Sequence, residues 1–230
     1  MNLRSKILAL PFLKSWKKKQ QKRHFKGSEK YWEERYHNQG NSGSGSYDHL
    51  AEFKAEFLND FVKSNNIGSV IEFGCGDGNQ LALSEYPKYV GLDVSPTAIR
   101  MCEDIFKNDS TKSFFLYNSL AYQDRLGIFK AELSLSLDVL FHLVEHDIFT
   151  SYLKHLFNAS SMYVIIYASD YDQEDEPIYR HEHRRNFTRF VSMQFPDWKL
   201  KEVVRNKYPV VTYGEKGSLS DFFVYERISQ

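Results

Sequence analysis

Residues 70–78 read Val-Ile-Glu-Phe-Gly-Cys-Gly-Asp-Gly. The apolar run at the start predicts a buried strand, and the three alternating glycines predict a sharp turn after it. Glycine adopts positive φ and lets a ligand lie against bare backbone. Residues 79–83 predict the first turn of a helix. Strand, glycine turn and helix N-terminus in this order form a nucleotide-sized site at the carboxyl edge of a parallel sheet, so the stretch predicts a Rossmann-like binder of a nucleotide or cofactor.

Acidic side chains distinguish this loop from a dinucleotide site. The dinucleotide fingerprint G-x-G-x-x-G places a pyrophosphate on a helix N-terminus. Here Gly74, Gly76 and Gly78 alternate, with Glu72 two residues ahead and Asp77 inside the loop. Two carboxylates would repel a pyrophosphate, but they suit a ligand that carries an amine and a sulfonium cation. A glycine loop by itself is also compatible with a plain turn.

A second buried strand, residues 89–95, carries a carboxylate near its end. Asp93 lies 19 positions after Gly74, and an acid there reaches the ribose hydroxyls of a bound adenosine. The alternative role for Asp93 is to cap the helix at residues 96–107, although Ser95 fits that cap better. Dehydrogenases use the same ribose contact, so Asp93 does not separate the two cofactor classes.

The remaining apolar runs predict the rest of an α/β fold. They predict strands at residues 112–117, 132–143, 162–167, 199–206 and 221–228, and helices at 147–158 and 187–194. Five parallel strands followed by a C-terminal antiparallel hairpin, flanked by helices, make a Rossmann-like seven-stranded sheet. A dehydrogenase half-domain would instead continue with further βα units.

The segment before the glycine loop predicts a lid. Residues 29–36 favour a short aromatic helix, and the Gly/Ser-rich residues 41–47 resemble a flexible linker in composition alone. Their flanks are structured, and Asp48 is placed to cap the next helix. A glycine-serine loop between two helices beside a cofactor site indicates a mobile, ligand-contacting lid.

Composition and charge predict one folded domain with a basic arm. The chain has 230 residues, is 42% hydrophobic and has no net charge, which fits a single α/β domain at residues 29–230. Residues 1–28 hold nine Lys or Arg and no acid, which leaves a net charge of −9 on the rest. An acidic body argues against a nucleic-acid binder.

The basic arm and the two cysteines indicate where in the cell the protein is expected to lie. Residues 7–13 are apolar but lack a cleavage site and are far shorter than the ~20 residues of a membrane span. With its lysines the arm could rest on an anionic membrane surface; the alternative is a tail without a partner. Cys75 and Cys102 have no disulfide or metal spacing. A cytoplasmic protein, with peripheral contact at the inner face of the membrane, is expected.

The chain closely resembles class I S-adenosylmethionine (SAM) methyltransferases at residues 72–78, 89–95 and 137–142 and in the entry segment, residues 31–36 plus 43–47. The resemblance is nearest to bacterial members associated with surface-polysaccharide biosynthesis. It implies in-line transfer of a methyl group from SAM, leaving S-adenosylhomocysteine and needing no metal. By the same resemblance, the cofactor-binding residues are Tyr31, Trp32, Arg35, Glu72, Phe73, Gly74, Cys75, Gly76, Asp93, Val94, Asn118, Ser119 and Leu137.

The resemblance also implies where the chemistry occurs, because the end of the fourth strand borders the transferring methyl group. His142 is the expected general base for a hydroxyl acceptor, since an ordinary histidine pKa near 6.5 suits neutral pH. Asp138 is expected to orient His142 or to bind the cofactor. The alternative for His142 is a structural role at a helix start.

The acceptor is expected to be a small molecule or glycan, O-methylated on a hydroxyl or phosphate group. The predicted acceptor-binding residues are Tyr47, His181, His183, Arg184 and Arg185. The two histidines and two arginines among them indicate an anionic acceptor such as a phosphate or acidic sugar, unless they form a solvated surface. Two other functions stay open: an NAD-dependent oxidoreductase and a non-catalytic SAM-binding module.

Overall fold

The computed structural model describes residues 25–174 and 179–228. Most of the predicted basic tail at residues 1–28, and the membrane contact expected of it, therefore lies outside the described residues. Within the described ranges, no helix combines the length and apolarity that crossing a membrane requires.

Seven strands form a single sheet. They are β1 (Val70–Phe73), β2 (Tyr89–Asp93), β3 (Lys112–Leu116), β4 (Ala131–Leu137), β5 (Ser160–Ala168), β6 (Trp198–Val204) and β7 (Asp221–Arg227). The described helices are α1 (Ser28–His37), α2 (Asp48–Ser64), α3 (Pro96–Ile105), α4 (His146–Asn158), α5 (Phe187–Gln194) and the short α6 (Val210–Tyr213).

The strand order is β3-β2-β1-β4-β5-β7-β6. The first five strands pair in parallel, whereas β7 runs antiparallel between β5 and β6. The order reverses beside β1: the chain runs outward from β1 through β2 to β3, then crosses back to β4 on the other side of β1. Such a switch point opens a crevice at the carboxyl ends of the strands, so the predicted fold class is confirmed.

Helices cover both faces of the sheet, which explains why the parallel strands are apolar on both sides. On one face, α4 and α5 pack Phe149, Leu153 and Phe187 against alternate strand residues such as Ile71. On the other face, α2 and α3 pack a second set of buried apolar side chains. That set includes Leu58, Phe61, Val62, Val70, Tyr89, Ile99 and Cys102.

Local capping agrees with the sequence at α3 and differs at α2. Ser95 caps α3, since its Oγ accepts from the Ala98 N–H at 3.0 Å, and Pro96 occupies the first turn. Tyr47, rather than Asp48, is the N-cap of α2, and no side chain bonds the free N–H groups there. Asp48 instead opens the helix with a φ of 49°.

Two predicted elements differ from the structure: one helix does not form, and one strand is shorter than expected. The glycine loop leads only into a 3-10 turn at Leu81–Leu83, so the helix expected after residue 79 does not form. Strand β4 ends at Leu137, because Asp138 has a φ of 58° and breaks the extended backbone. A 3-10 turn at Leu140–His142 then carries the chain to α4. Both changes shape the site at the switch point.

Candidate functional site

The carboxyl ends of β1, β2 and β4 form the floor of a deep pocket, and α1 with residues 41–47 forms its roof. The space between protein atoms here amounts to about 920 Å³ when the open solvent at the mouth is included. We name it the cofactor pocket. Its lining residues are Ser28, Glu29, Trp32, Tyr36, Ser42, Ser46, Glu72, Gly74, Cys75, Gly76, Gln80, Asp93, Val94, Tyr117, Ser119, Leu137, Asp138, Val139, His142, Leu143, Ile148 and Tyr152.

The glycine loop passes close to the roof. Gly76 has a φ of 60°, and a Cβ there would collide with Ser42 Oγ, so only glycine fits both the turn and the contact. The Gly76 N–H donates to Asp93 Oδ2 at 2.9 Å. The second oxygen of Asp93 accepts from the Ser95 N–H, also at 2.9 Å. Asp93 thereby fixes the glycine loop while it lines the pocket.

Two buried carboxyl groups give the pocket its charge. Glu72 and Asp93 are only 4% and 6% exposed. Burial raises the pKa of Glu72 to about 7, against a hydrogen bond from the Tyr89 hydroxyl at 2.7 Å that favours the charged form. Burial likewise raises the pKa of Asp93 to about 6. A cationic ligand would stabilise the ionised form of both groups.

Asp77, the second acid expected to face the ligand, faces the roof instead. Its Oδ2 accepts from the Ser42 N–H and from the Tyr47 hydroxyl, both at 2.8 Å. The Asp77 N–H donates back to Ser42 Oγ at 3.0 Å, and Asn79 Nδ2 donates to the Ser46 carbonyl at 2.6 Å. These four bonds, which we name the Asp77 latch, hold the glycine-serine loop on the glycine loop.

Helix α1 is anchored at its first residue and at its middle. Ser28 Oγ donates to the His142 carbonyl at 2.7 Å and also bonds the Glu145 carboxylate. At the other side of the pocket, Glu33 accepts from Ser95 Oγ at 2.5 Å and from Thr97 Oγ1 at 2.8 Å. The roof is therefore closed over the cofactor pocket.

Asp138 is held by a buried lysine that the sequence pattern did not reveal. Lys54 is fully buried in α2, and its Nζ lies 2.9 Å from Asp138 Oδ2. Ser220 Oγ donates to the other oxygen at 2.9 Å, and a Cβ on Gly45 would lie 2.7 Å from Oδ2. The Asp138 carboxylate thus bonds Lys54 and Ser220 rather than His142. Asp138 lines the cofactor pocket, and its alternative role in binding the cofactor stays a prediction.

His142 lies against aromatic rings and a backbone carbonyl. Its Nδ1 is 3.0 Å from the His181 carbonyl, and the Trp32 ring meets the imidazole edge-on with centroids 4.9 Å apart. Burial lowers the pKa of His142 to about 3, opposed in part by that hydrogen bond. The expected pKa near 6.5 is therefore wrong. A base of such low pKa holds a proton poorly at neutral pH.

A second pocket of about 960 Å³ adjoins the first; we name it the acceptor pocket. It is lined by residues 42–45, by the 181–184 segment and by the turn before β7. Four residues line both pockets, namely Trp32, Ser42, Asp138 and His142. A ligand bound in one pocket would therefore lie next to a ligand bound in the other, beside these four residues.

Nine of the thirteen predicted cofactor residues line the cofactor pocket: Trp32, Glu72, Gly74, Cys75, Gly76, Asp93, Val94, Ser119 and Leu137. The other four face elsewhere. Tyr31 stacks on His181 with centroids 4.2 Å apart, and Arg35 donates to the Asn41 carbonyl at 2.6 Å and borders the acceptor pocket. The Phe73 ring packs in the core. Asn118 Oδ1 accepts from two backbone N–H groups of its own turn.

Some of the predicted acceptor-binding residues line the acceptor pocket, and the others bond elsewhere. His181 and Arg184 line the acceptor pocket. Tyr47 belongs to the Asp77 latch. The Arg185 guanidinium donates to the Leu143 and Val144 carbonyls, both at 2.7 Å, and so supports the loop after β4. His183 lines neither pocket, and its N–H donates to the Phe141 carbonyl at 2.7 Å.

Sequence reasoning missed several lining residues. Tyr36, Ser42 and Ser46 lie inside the segment predicted as a lid, so that segment was the signal for them. Gln80 and Tyr152 have no local signal. Gln80 Nε2 donates to the Ala51 carbonyl at 3.1 Å, whereas its buried Oε1 has no hydrogen-bond partner within the part of the chain that the structure describes. A ligand amine in the pocket would satisfy such an acceptor.

The fold has many relatives among solved structures. The N-methyltransferase NodS from Bradyrhizobium japonicum WM9, in complex with S-adenosyl-L-homocysteine, is 13% identical at a TM-score of 0.66, covering 88% of this chain and 100% of that one. The methyltransferase domain of a bacterial Hen1 is 22% identical at a TM-score of 0.59, covering 76% and 97%. Magnesium protoporphyrin IX methyltransferase from Synechocystis PCC 6803 is 12% identical at 0.56, covering 76% and 83%.

No protein-family model and no curated protein sequence matches the chain. These three solved structures are methyltransferases at 22% sequence identity or less, so the likeness concerns the fold. The same fold is indicated by three features of this chain: the sheet order with its antiparallel β7, the glycine loop after β1 and the acid at the end of β2. The chain has the fold of the class I S-adenosylmethionine-dependent methyltransferases.

Proposed function

We propose that the chain is an enzyme that transfers a methyl group from SAM to an acceptor. The observation that carries this is the meeting of two pockets at Trp32, Ser42, Asp138 and His142. In-line displacement requires the acceptor atom, the methyl carbon and the sulfur to be aligned, and holding them so is the main contribution of the protein. Two adjoining pockets that share these four lining residues would provide that alignment.

The cofactor pocket suits the charges of SAM. Glu72 and Asp93 are buried carboxyl groups beside bare glycine backbone, and Gln80 Oε1 is an acceptor without a partner in the described chain. An amine and a sulfonium would pair with them, and Asp93 would accept from ribose hydroxyls with its remaining lone pairs. Bound SAM supplies an activated methyl group. The residues of this chain position it, and the closed roof excludes water.

The acceptor pocket suits an anion. Its basic side chains are Arg35 and Arg184. Its two acids already have partners, since Glu182 pairs with Arg184 and Asp138 pairs with the buried Lys54. Arg184 Nε has no hydrogen-bond partner among the described residues, so one donor remains for a ligand. The proposed acceptor is a phosphate-bearing or acidic sugar, methylated on oxygen, in surface-polysaccharide biosynthesis at the cytoplasmic side of the membrane. The resemblance of residues 72–78 and 137–142 to that bacterial group supports this finer assignment.

An NAD-dependent oxidoreductase fits the pocket less well. A dinucleotide site uses a helix N-terminus to bind the pyrophosphate, and here the glycine loop leads only into a short 3-10 turn. The buried carboxyl group of Glu72 adds unfavourable charge for a pyrophosphate. A non-catalytic SAM-binding module has the same cofactor pocket, and only turnover separates it from an enzyme.

Calorimetric titrations with SAM, S-adenosylhomocysteine and NAD test the cofactor. We expect the first two to bind in the micromolar range or tighter and NAD to show no binding. Tritium transfer from labelled SAM to cell-envelope precursors, comparing phosphorylated with neutral sugars, then tests the acceptor. Binding of NAD in place of SAM would refute the proposal, and SAM binding without transfer to any precursor would favour the binding module.

A further inference from the structure

Three side chains of metal-binding type converge in the wall of the acceptor pocket. His142, His181 and Glu182 each bring one ligand atom to within 4.8 Å of the other two. All three are partly buried and line the acceptor pocket, and His142 also lines the cofactor pocket. The cluster joins the turn after β4 to the segment before α5, which are 39 residues apart in sequence.

The surroundings hold these side chains in place. With Nδ1 of His142 donating to the His181 carbonyl, the lone pair of that imidazole lies on Nε2. A backbone carbonyl on the second ring nitrogen is the usual support of a metal-binding histidine. Tyr31 stacks on the His181 ring at an interplanar angle of 10°. Arg184 Nη2 binds Glu182 Oε2 at 2.9 Å, and Oε1 stays 3.9 Å from His181 Nε2.

We propose that His142, His181 and Glu182 bind a divalent transition-metal cation. Two imidazoles and one carboxylate form a donor set used for Zn²⁺ and for Fe²⁺, with other coordination positions left open to substrate. Metal–ligand bonds of about 2.1 Å place neighbouring ligand atoms roughly 3–3.5 Å apart. Modest side-chain rotations would therefore draw the three donors together.

The charge around the cluster selects the partner of the metal. Arg35 and Arg184 line the same pocket, so their positive charge weakens binding of a bare cation. An anionic acceptor offsets that charge, because its oxygens would bind the metal at an open position and the guanidinium groups at the rim. The metal site therefore fits the anionic acceptor class and would be strengthened by it.

The role of the metal rests on the proposed function. A metal-bound acceptor hydroxyl has a lowered pKa and releases its proton to solvent. The oxygen then attacks the methyl carbon, the carbon–sulfur bond breaks with its electron pair on sulfur, and S-adenosylhomocysteine results. This assigns His142 the task of a ligand, which a neutral imidazole performs, in place of general base.

The test uses untagged full-length protein stripped with a chelator, because a histidine tag would bind the probe. Co²⁺ is titrated while its visible absorption and the binding heat are followed. We expect one Co²⁺ to bind per chain, with a d–d absorption spectrum that differs from the spectrum of free Co²⁺. His142→Ala, His181→Ala and Glu182→Gln should each weaken binding by at least about tenfold. His146→Ala, which removes an exposed imidazole four residues from His142, should bind Co²⁺ like the wild type.

S-adenosylhomocysteine titrations of the same variants separate this inference from the proposed function. His181→Ala and Glu182→Gln should retain the affinity of the wild type for S-adenosylhomocysteine, which also shows that they fold. Absence of saturable Co²⁺ binding, or equal binding by the three variants and the wild type, would overturn the metal site. Co²⁺ binding without S-adenosylhomocysteine binding would instead refute the proposed function alone.

Discussion

At the scale of single residues, the cofactor pocket places acidic groups where burial opposes their ionisation. Glu72 has a folded-state pKa of about 7, above its ordinary value of 4.5. Between these values the folded chain binds more protons than the unfolded chain, so this group makes the free energy of unfolding fall as pH rises from about 4.5 to 7. Above pH 7 the ionised and buried Glu72 keeps the free energy of unfolding low, until a bound cationic ligand offsets this loss of stability.

Replacing Glu72 by glutamine tests that cost. Glu72→Gln should remove the pH-dependent penalty and raise the free energy of unfolding at pH 8 by about 1–3 kcal/mol, with little change at pH 4.5. SAM affinity should fall, since the charge that attracts the cation is lost. Urea unfolding at the two pH values measures the effect. Glu52→Gln, on the exposed side of α2, is the control; an identical pH response in both variants would contradict the assignment.

Asp93 is a second residue whose removal has a defined consequence. Asp93→Ala should weaken S-adenosylhomocysteine binding by ~1.5–3 kcal/mol, the contribution of a hydrogen bond to a charged group. Part of that loss comes from the glycine loop, because Asp93 also accepts from the Gly76 N–H. Calorimetry against Asp104→Ala, an exposed acid on α3, measures it. Unchanged affinity would exclude the ribose role.

At the scale of elements, the entry segment and the glycine loop act as one unit because Asp77 joins them. Asp77→Ala removes the acceptor of the Ser42 N–H and the Tyr47 hydroxyl. Residues 41–47 should then exchange their amide hydrogens faster, and S-adenosylhomocysteine should dissociate at least about tenfold faster. Hydrogen exchange with and without S-adenosylhomocysteine, beside the exposed control Asp60→Ala, is the measurement. Equal protection of the loop in both variants would remove the latch from the mechanism.

The elements that the sequence predicted well are those with a strong local pattern. Apolar runs located all seven strands, and helix α5 has the bounds expected of it. The helix after the glycine loop failed because the apolar residues at 81–83 fold into one 3-10 turn before β2 begins. The end of β4 was missed because the backbone of Asp138 is set by contacts with Lys54 and Ser220, far away in sequence.

Site residues were likewise predictable where a local pattern fixes them and not where distant contacts do. Backbone positions such as Gly74 and Gly76 were predictable, since a loop after β1 can face only the switch point. The directions of long side chains were not, because partners from other elements decide them. Tyr47 turns to Asp77 and Arg185 to two carbonyls of the loop after β4. The metal-binding cluster arises from the meeting of two distant loops, which no spacing motif records.

At the scale of the whole molecule, the charge is divided between an acidic body and a basic arm. Residues 1–28 carry nine of the 30 basic residues, and the body has a net charge of −9. Deleting residues 1–24 should leave S-adenosylhomocysteine affinity within about twofold, because the described residues that line the two pockets begin at Ser28 and belong to the folded body. The deletion should abolish binding to anionic vesicles, to which each basic residue contributes about 1 kcal/mol.

Co-sedimentation with phosphatidylserine vesicles at low and high salt measures that contact. The full chain should pellet at low salt and dissociate as salt rises, whereas neutral vesicles serve as the control. Equal sedimentation of the full and the shortened chain would show that the arm has no membrane role. A loss of cofactor affinity on deletion would place the arm in the site.

The double anchoring of α1 has a kinetic consequence. Ser28 holds one end of this helix to the loop after β4, and Glu33 holds its middle to the start of α3. We expect the release of S-adenosylhomocysteine to require these bonds to break, so that release rather than the chemical step sets the turnover rate. The first cycle should then outpace all later ones, and a rapid-quench time course would begin with a burst close to one product per chain.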